Sequence, residues 1–385
     1  MIPKDPVTRL RLGVVGLGRA FSLMLPTLAG DPRIELVAGA DPRPAAREKF
    51  AADLGAKAFD SMDKLCAEPA VEVVYIATPH QFHATNAIAA AACGKHILVE
   101  KPMALSLDEC RAMIAAARNS GVRLIVGHSH SFDAPILQAK KIIASGALGR
   151  VRMISALNYT DFLYRPRRPE ELDTRAGGGV VFNQAAHHVD VVRLLAGSRV
   201  AAVRALTGAW DPSRPTEGAY SCQLQFEDGA FATLVYSGYA HFDSDEFTGW
   251  IGEGGAPKDA SSYGAARRML TGNELAAKNQ RNYGGRAFKA VPQPQAHPHF
   301  GLVLVSCERG DVRPLPSGVV IYADHEIRTE PLPPPAVPRV EVIDELYDAV
   351  VNGKAPLHSG EWAMATMEVC FAILRSSREQ REVKL

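Results

Sequence analysis

No stretch of this 385-residue chain stays apolar for the length a membrane span needs. Neither sign of charge is in excess: 43 lysines and arginines face 42 aspartates and glutamates, a formal net charge of +1. That balance argues against nucleic acid or an anionic membrane as the main partner, and any basic surface must be local. Cysteine is sparse. Cys66, Cys93, Cys110, Cys222, Cys307 and Cys370 are scattered without C-x-x-C spacing, and most sit among apolar neighbours. Buried free thiols in a reducing compartment are therefore expected, rather than a disulfide framework. The opening Met-Ile-Pro-Lys-Asp-Pro lacks a basic-then-apolar signal pattern, so the expected location is the cytoplasm. What the chain does have is 47% hydrophobic and 22% charged residues, the balance of a soluble globular protein, at a length that asks for two domains.

The first third alternates strand and helix signals. An apolar strand over Arg11–Val15 runs into Gly16-Leu17-Gly18, and a helix from about Ala20 to Ala29 follows, stopped by Gly30-Asp31-Pro32. A second strand, Ile34–Ala40, ends in Asp41. A strand, a tight glycine turn and a helix start put backbone N–H groups and a positive helix end at one point, which suits a pyrophosphate. The G-x-G-x-x-G pattern is incomplete, because its third position is Phe21, where glycine or alanine normally allows close helix–strand packing. Asp41 adds weight. Roughly twenty residues beyond the glycines, a carboxylate accepts both hydroxyls of an adenosine ribose and repels a 2′-phosphate, which favours NAD. The plainer reading of Asp41 is a helix cap before Pro42, and Arg43 and Arg47 leave NADP open as the alternative.

Further strands over Val71–Ala77, His96–Val99 and Val122–Val126 alternate with a helix over Ala84–Ala92 and another after the capping box Ser106-Leu107-Asp108-Glu109. This predicts a parallel sheet with helices on both faces and ligands beyond the carboxyl ends of its strands. Gly16, Asp41, Thr78-Pro79, Glu100-Lys101 and Gly127-His128 all fall at those ends. Lys101 is odd chemistry for the tip of a buried strand, and Pro102 restricts its backbone direction.

Downstream, Pro135–Ser145 has amphipathic helix spacing and Val151–Tyr159 alternates as a strand. Residues 160–173 carry Arg165, Arg167 and Arg168 among prolines, so they lie on a loop, either as a solvated surface or as an anion clamp. Gly179–Leu195 has helical spacing that puts Asn183, His187 and Asp190 on one face. Val200–Leu206, Gly218–Phe226 and Ala230–Tyr239 alternate between turns and predict antiparallel strands, whose open face would suit a dimer interface. Gly252–Phe300 is glycine-rich and polar, a lid or an insertion. Phe300–Cys307 and Val319–Tyr322 return as strands, Pro331–Pro338 is an extended linker, and Val340–Asn352 and Glu361–Ser376 close the chain as helices. The pairs His128/His130 and His297/His299 lack a cysteine or paired carboxylate at ligand spacing, so no metal is expected.

Gly16-Leu17-Gly18-Arg19, Thr78-Pro79-His80 with His83, Glu100-Lys101-Pro102, and Gly177-Gly178-Gly179 with His187 and Asp190 resemble the glucose-fructose oxidoreductase/inositol dehydrogenase (Gfo/Idh/MocA) family over nearly the whole chain. The resemblance implies an α/β fold in two domains. Residues 1–128 would form an N-terminal Rossmann domain, a doubly wound parallel sheet that binds NAD. Residues 129–385 would form an α+β C-terminal domain with a large, mostly antiparallel open sheet for substrate binding and oligomerisation, with 252–300 an insertion or lid and 339–385 closing helices. The activity implied is that of an NAD(P)-dependent dehydrogenase of an alcohol, assembled as a homodimer or homotetramer through that sheet. Gly16, Gly18, Arg19, Ala20, Asp41, Arg43, Thr78, Pro79, His80, His83, Glu100 and Lys101 would bind the cofactor, and Lys101 and His187 would act beside the nicotinamide. Two departures bear on the chemistry. The family's usual aspartate four residues before the histidine is Asn183 here, and its glycine two before is Ala185. Asparagine can orient His187 but cannot stabilise an imidazolium as a carboxylate does, so weight shifts to Lys101 as proton acceptor. The asparagine usual after Thr-Pro is His80.

Within that family, Tyr159–Thr174 and His299-Phe300-Gly301 with Ser306-Cys307-Glu308 resemble the phthalate 4,5-cis-dihydrodiol dehydrogenases. That implies 4,5-dihydroxyphthalate as product and a dicarboxylate substrate for Arg165, Arg167 and Arg168. Lys101, His128, Tyr164, Asn183 and His187 would complete the substrate site. A sugar or inositol dehydrogenase taking a polyol would instead want neutral polar contacts. A non-catalytic NAD-binding sensor would tolerate Asn183 but has no use for an intact Lys101 and His187.

Overall fold

A computed structural model describes residues 8–127, 129–239, 241–270 and 272–385; His128, one of the expected substrate contacts, lies outside them. Among the described residues, fifteen strands form two sheets, one in each of two compact units. The first unit is the N-terminal third together with Ala276–Val291 and Val337–Met364. Its strands are β1 (Leu10–Val15), β2 (Ile34–Ala40), β3 (Lys57–Phe59), β4 (Val73–Ile76), β5 (His96–Val99) and β6 (Leu124–Val126). They lie in the order β3-β2-β1-β4-β5-β6, every neighbour parallel. All four residues of β4 are buried, the continuous apolar run required of a strand covered on both faces. Helices Arg19–Gly30, Pro44–Leu54, Met62–Cys66, His83–Ala92 and Leu107–Asn119 make the crossovers. In this doubly wound order the sheet reverses between β1 and β4, and a ligand crevice opens beyond their carboxyl ends.

Two segments inside the stretch expected as one C-terminal domain pack instead with the first unit. Long-range contacts explain this. The Arg33 guanidinium pairs with Asp31 at 2.6 Å and Asp344 at 2.7 Å. The Thr27 hydroxyl donates to the Pro338 carbonyl at 2.6 Å, and Arg123 Nε donates to the Ala349 carbonyl at 3.1 Å. Helix Val340–Val350 is thereby tied to the Rossmann sheet's own unit.

The second unit holds β7 (Val151–Tyr159), β8 (Val200–Gly208), β9 (Ala219–Phe226), β10 (Phe231–Ser237), β11 (Leu302–Cys307), β12 (Gly310–Leu315), β13 (Gly318–Ala323), β14 (Ile327–Pro331) and β15 (Val383–Lys384). Their order is β14-β13-β12-β11-β7-β10-β9-β8-β15. Only β7 and β10 pair in parallel; the other neighbours are antiparallel. Along β9, Tyr220, Cys222, Leu224 and Phe226 are buried while Ser221, Gln223 and Gln225 are exposed. Leu206 and Phe231, paired with Ser221 and Gln225, are also exposed, so one face of this sheet is open. The buried face carries helix Ala186–Ala196, where His188 meets the Tyr220 hydroxyl.

The Asp31–Arg33 pair makes a pH prediction. Burial raises the Asp31 carboxyl, but the hydrogen bonds and charge of Arg33 more than offset this, so it titrates below the usual 3.8. A folded-state pKa held down adds stability above the unfolded value and loses it as pH falls through the folded one. Stability to urea should therefore decline as pH falls below about 5 and on through the lowered folded-state value. Arg33→Ala should cost roughly 1–3 kcal/mol at neutral pH and show a shallower decline on acidification. Equal slopes for the two proteins would assign the acid loss to other carboxylates.

Candidate active site

At the carboxyl end of β1, Gly16 holds φ +92°, and a Cβ there would come within 2.7 Å of the Ala77 carbonyl oxygen and 2.9 Å of the Thr78 nitrogen. Only glycine fits. Gly18 begins helix Arg19–Gly30, and nothing lies within 4 Å of the Cβ it lacks. Open space at a helix start, at the positive end of the helix dipole, suits an anion. Arg19 is exposed and Ala20 half-buried in the first turn. Asp41, only 6% exposed, accepts the Leu17 N–H at 2.9 Å, so the end of β2 is tied to the glycine turn. The same carboxylate accepts the Arg43 N–H and Nε at 2.9 Å each and Nη2 at 3.0 Å. A cradle at the end of β1 that a Cβ would fill, backed by the carboxylate at the end of β2, fits NAD. Phe21 is accommodated in the fingerprint because its fully buried ring packs on Phe50 and Tyr283, at centroid distances of 5.9 and 5.1 Å.

Beyond β4 come Thr78, Pro79 and His80, all half-buried. His83 behaves differently from the expected cofactor contact. It is fully buried, with Nδ1 2.8 Å from the Pro102 carbonyl oxygen and Nε2 3.0 Å from that of Thr78. Burial lowers its pKa, so a neutral ring donates to one of these carbonyls. His83 braces the loops after β4 and β5 and has no face left for a cofactor. Glu100 accepts the hydroxyl of the wholly buried Tyr75 at 2.6 Å, and half-buried Lys101 follows at a cis Lys101–Pro102 bond. Gly16, Asp41, Thr78, Glu100 and Lys101 thus gather at the carboxyl ends of neighbouring strands, as read from the sequence.

In the second unit each glycine of the triplet answers to a constraint. Gly177 ends a 3₁₀ turn at φ +82°. A Cβ on Gly178 would meet the Glu170 and Glu171 backbone at 2.6 Å, and Gly179, at φ +76°, lies against the Glu217 carboxylate. Glu217 is buried and accepts the Val181 N–H at 3.0 Å and the Thr174 hydroxyl. Burial raises its carboxyl above the ordinary range, against the pull of those hydrogen bonds. The expected single helix over Gly179–Leu195 is instead one turn of π-helix, Val181–Ala185, leading into the α-helix Ala186–Ala196. Such turns re-aim side chains and recur at functional sites. Here the turn contains Asn183, whose amide donates to the Gly179 carbonyl at 2.8 Å.

His187 is 6% exposed, with its ring 4.7 Å from that of His130 and 5.0 Å from Phe300. His130 is itself buried, its Nδ1 2.6 Å from the Asp133 carboxylate. His188 has its pKa pushed down to about 3, by burial and then by His130, so it stays neutral against Tyr220. Asp190 accepts the hydroxyls of Ser131 and Thr366, and Thr366 accepts Arg193 at 2.6 Å. Asp133 and Glu217 escape a sequence reading, and His130 and Phe300 enter it only as part of a histidine pair and of a family-like segment, with nothing local to join them to His187.

The arginine loop forms 3₁₀ turns at Phe162–Tyr164 and Pro169–Leu172. Each of its three guanidiniums has a carboxylate partner within the protein. Arg167 is buried, stacks 3.6 Å from the Phe162 ring centroid, donates to the Phe162 carbonyl, and has its pKa pulled down to about 10 by burial. Arg168 pairs with Glu170 at 2.9 Å and Glu171 at 3.6 Å. Arg165 pairs with Asp161 at 2.8 Å and Glu253 at 3.7 Å but keeps 44% of its side chain exposed. The Tyr164 hydroxyl donates to Asp211 at 2.7 Å, under the Arg267 guanidinium.

A family model described as an oxidoreductase family with an NAD-binding Rossmann fold matches residues 10–128, and one for the GFO/IDH/MocA C-terminal domain matches residues 136–256. The chain is 49% identical over 380 residues to the 1-carboxy-3-chloro-3,4-dihydroxycyclohexa-1,5-diene dehydrogenase of Comamonas testosteroni, covering 96% of each. It is 28% identical over 241 residues to the inositol 2-dehydrogenase of Rhizobium meliloti strain 1021, covering 62% of this chain and 71% of that one. The crystal structure of a protein from Bordetella bronchiseptica RB50 matches with a TM-score of 0.93 at 42% identity, covering 98% of this chain and all of that one. Sheet order, glycine turn and these likenesses agree, and the chain belongs to the Gfo/Idh/MocA family of NAD-binding oxidoreductases.

Proposed function

We propose that the protein oxidises a carboxylated dihydroxycyclohexadiene to the corresponding catechol. The observation that carries this reading is the end-to-end 49% identity with the Comamonas enzyme, whose name specifies a carboxyl group and two hydroxyls on a cyclohexadiene ring. The finer form, phthalate 4,5-cis-dihydrodiol to 4,5-dihydroxyphthalate, draws on the resemblance of residues 159–174 and on the arginines there. Loss of a hydride and a proton from one carbinol gives a ketone that enolises to an aromatic ring, and that stabilisation pulls the reaction forward. NAD, when bound, supplies the hydride acceptor.

Lys101, half-buried at the tip of β5, is assigned the hydroxyl proton, because an amine at the carboxyl edge of the sheet stands where a substrate beside the dinucleotide would react. His187 is assigned the second acid–base role. With Asn183 turned to a backbone carbonyl, the carboxylate nearest in role to the missing aspartate is Asp133, which acts on the neighbouring His130. Arg165, the arginine of its loop with the largest exposed surface, is assigned the substrate carboxylate. The open face around Leu206 and Phe231 is the proposed interface of a homodimer or homotetramer, and the free thiols suit the cytoplasm.

NADH formation with a panel of both carboxylated dihydrodiols and myo-inositol tests the substrate. Turnover of the dihydrodiols is expected, phthalate dihydrodiol included. Turnover of the polyol alone would make the protein an inositol-type dehydrogenase, and NADH binding without turnover of anything would make it a sensor. Lys101→Ala should lower kcat by about 10²–10⁴-fold while NADH binding persists; a normal kcat would remove Lys101 from proton transfer. Arg165→Ala should raise KM for a carboxylated substrate about tenfold, equivalent to about 1.4 kcal/mol. An unchanged KM would leave Arg165 as a surface residue.

A further inference from the structure

Ala276–Val291 lies far along the chain, between β10 and β11, yet belongs to the first unit. Its anchor is Tyr283, fully buried, with its ring edge-on to Phe21 at 5.1 Å and to Phe288 at 5.2 Å. The Tyr283 hydroxyl donates to Asp53 at 2.7 Å. The next residue, Gly284, holds φ +79°, and a Cβ there would come within 2.6 Å of the Ala46 Cα. The strap's backbone therefore rests directly on the first turn of helix Pro44–Leu54. Phe21 gains a purpose from this: the bulk that the glycine fingerprint normally excludes is the floor on which Tyr283 sits.

The strap touches the ribose carboxylate's own partner. Arg43 donates from Nε and Nη2 to Asp41, from Nη2 to the Leu17 carbonyl at 2.8 Å, and from Nη1 to the Tyr283 carbonyl at 3.3 Å. Four of the five guanidinium N–H groups are thus engaged. A 2′-phosphate is held by an arginine near the end of the second strand, through a free fork of donors. Arg43 stands at that place with its fork already used. Beside it, a hollow of about 300 Å³ is bordered by Arg43 together with Asn279, Gln280, Gly285 and Arg286 of the strap.

We propose that the 276–291 strap is a cofactor-specificity element: by holding Arg43 against Asp41 it withholds the guanidinium from a 2′-phosphate and sets a preference for NAD over NADP. The proposal rests on the assignment of the glycine turn and Asp41 to the dinucleotide. Tyr283 is on this view a positioning residue that acts through Arg43.

Dissociation constants of the whole protein for NADH and NADPH, read by nicotinamide fluorescence, test it. The unaltered protein should prefer NADH. Tyr283→Ala should move the NADPH-to-NADH affinity ratio toward NADPH by about tenfold. Tyr283→Leu, which keeps an apolar plug, should move it the same way by less and carries the test if the alanine variant fails to fold. In an Arg43→Met background neither substitution should change the ratio, because the guanidinium to be released is gone. A ratio unmoved by both Tyr283 variants, a shift that survives Arg43→Met, or a preference for NADPH in the unaltered protein each overturns the proposal. If the unaltered protein binds neither nucleotide, it is the dinucleotide assignment that fails, not the strap.

Discussion

Gly16 approaches the Ala77–Thr78 peptide so closely that no side chain fits between them, and the chemistry of the first unit follows from that approach. Because β1 and β4 touch at their tips, the chain after β1 must turn at once, which fixes the start of helix Arg19–Gly30 at the crevice. The turn presents the Leu17 N–H to Asp41, and the end of β2 is pinned beside it. On the other side, His83 spans the loops after β4 and β5, so the Glu100-Lys101 tip is set by the same frame. The glycine turn, Asp41 and Lys101 thus stand together on neighbouring strand ends.

The second unit solves a similar problem with a side chain. The Glu217 carboxylate sits where Gly179 has no Cβ and takes the first N–H of the π turn. The turn in turn carries Asn183 and delivers His187 into a group of rings formed with His130 and Phe300. Below it, Asp190 and Arg193 meet at Thr366, so every charged residue of the buried helix between 186 and 196 has an oxygen or hydroxyl to answer it. Buried charge is tolerated only with such partners. The polar face read as a catalytic stripe is therefore two things at once: His187 among rings, and Asp190 as scaffolding.

What was legible in the sequence was what is local. β2, β5 and β7 have the bounds that their apolar patterns predict, because burial and turn residues punctuate them clearly. The glycine turn, Asp41 and Lys101 could be placed at strand ends for the same reason. β3, β12, β14 and β15 could not, being short or polar enough that pairing rather than pattern makes them strands. Residues that act across long separations were also hidden: Glu217 lies 36 positions from Val181, and Tyr283 lies 240 from Arg43. The arginine-rich loop shows the limit from the other side. Composition announces three guanidiniums, but only the fold reveals that Glu170, Glu171 and the Phe162 ring occupy two of them.

The strap and the helix Val340–Val350 also bear on how the protein is made. During synthesis the dinucleotide half emerges first, yet it cannot be completed until residues as late as 364 have left the ribosome. Until then Phe21 lacks its tyrosine, and Arg33 and Thr27 lack the partners that Asp344 and Pro338 provide. The nascent Rossmann sheet must wait with a bare apolar edge while the whole antiparallel sheet except its final strand is translated.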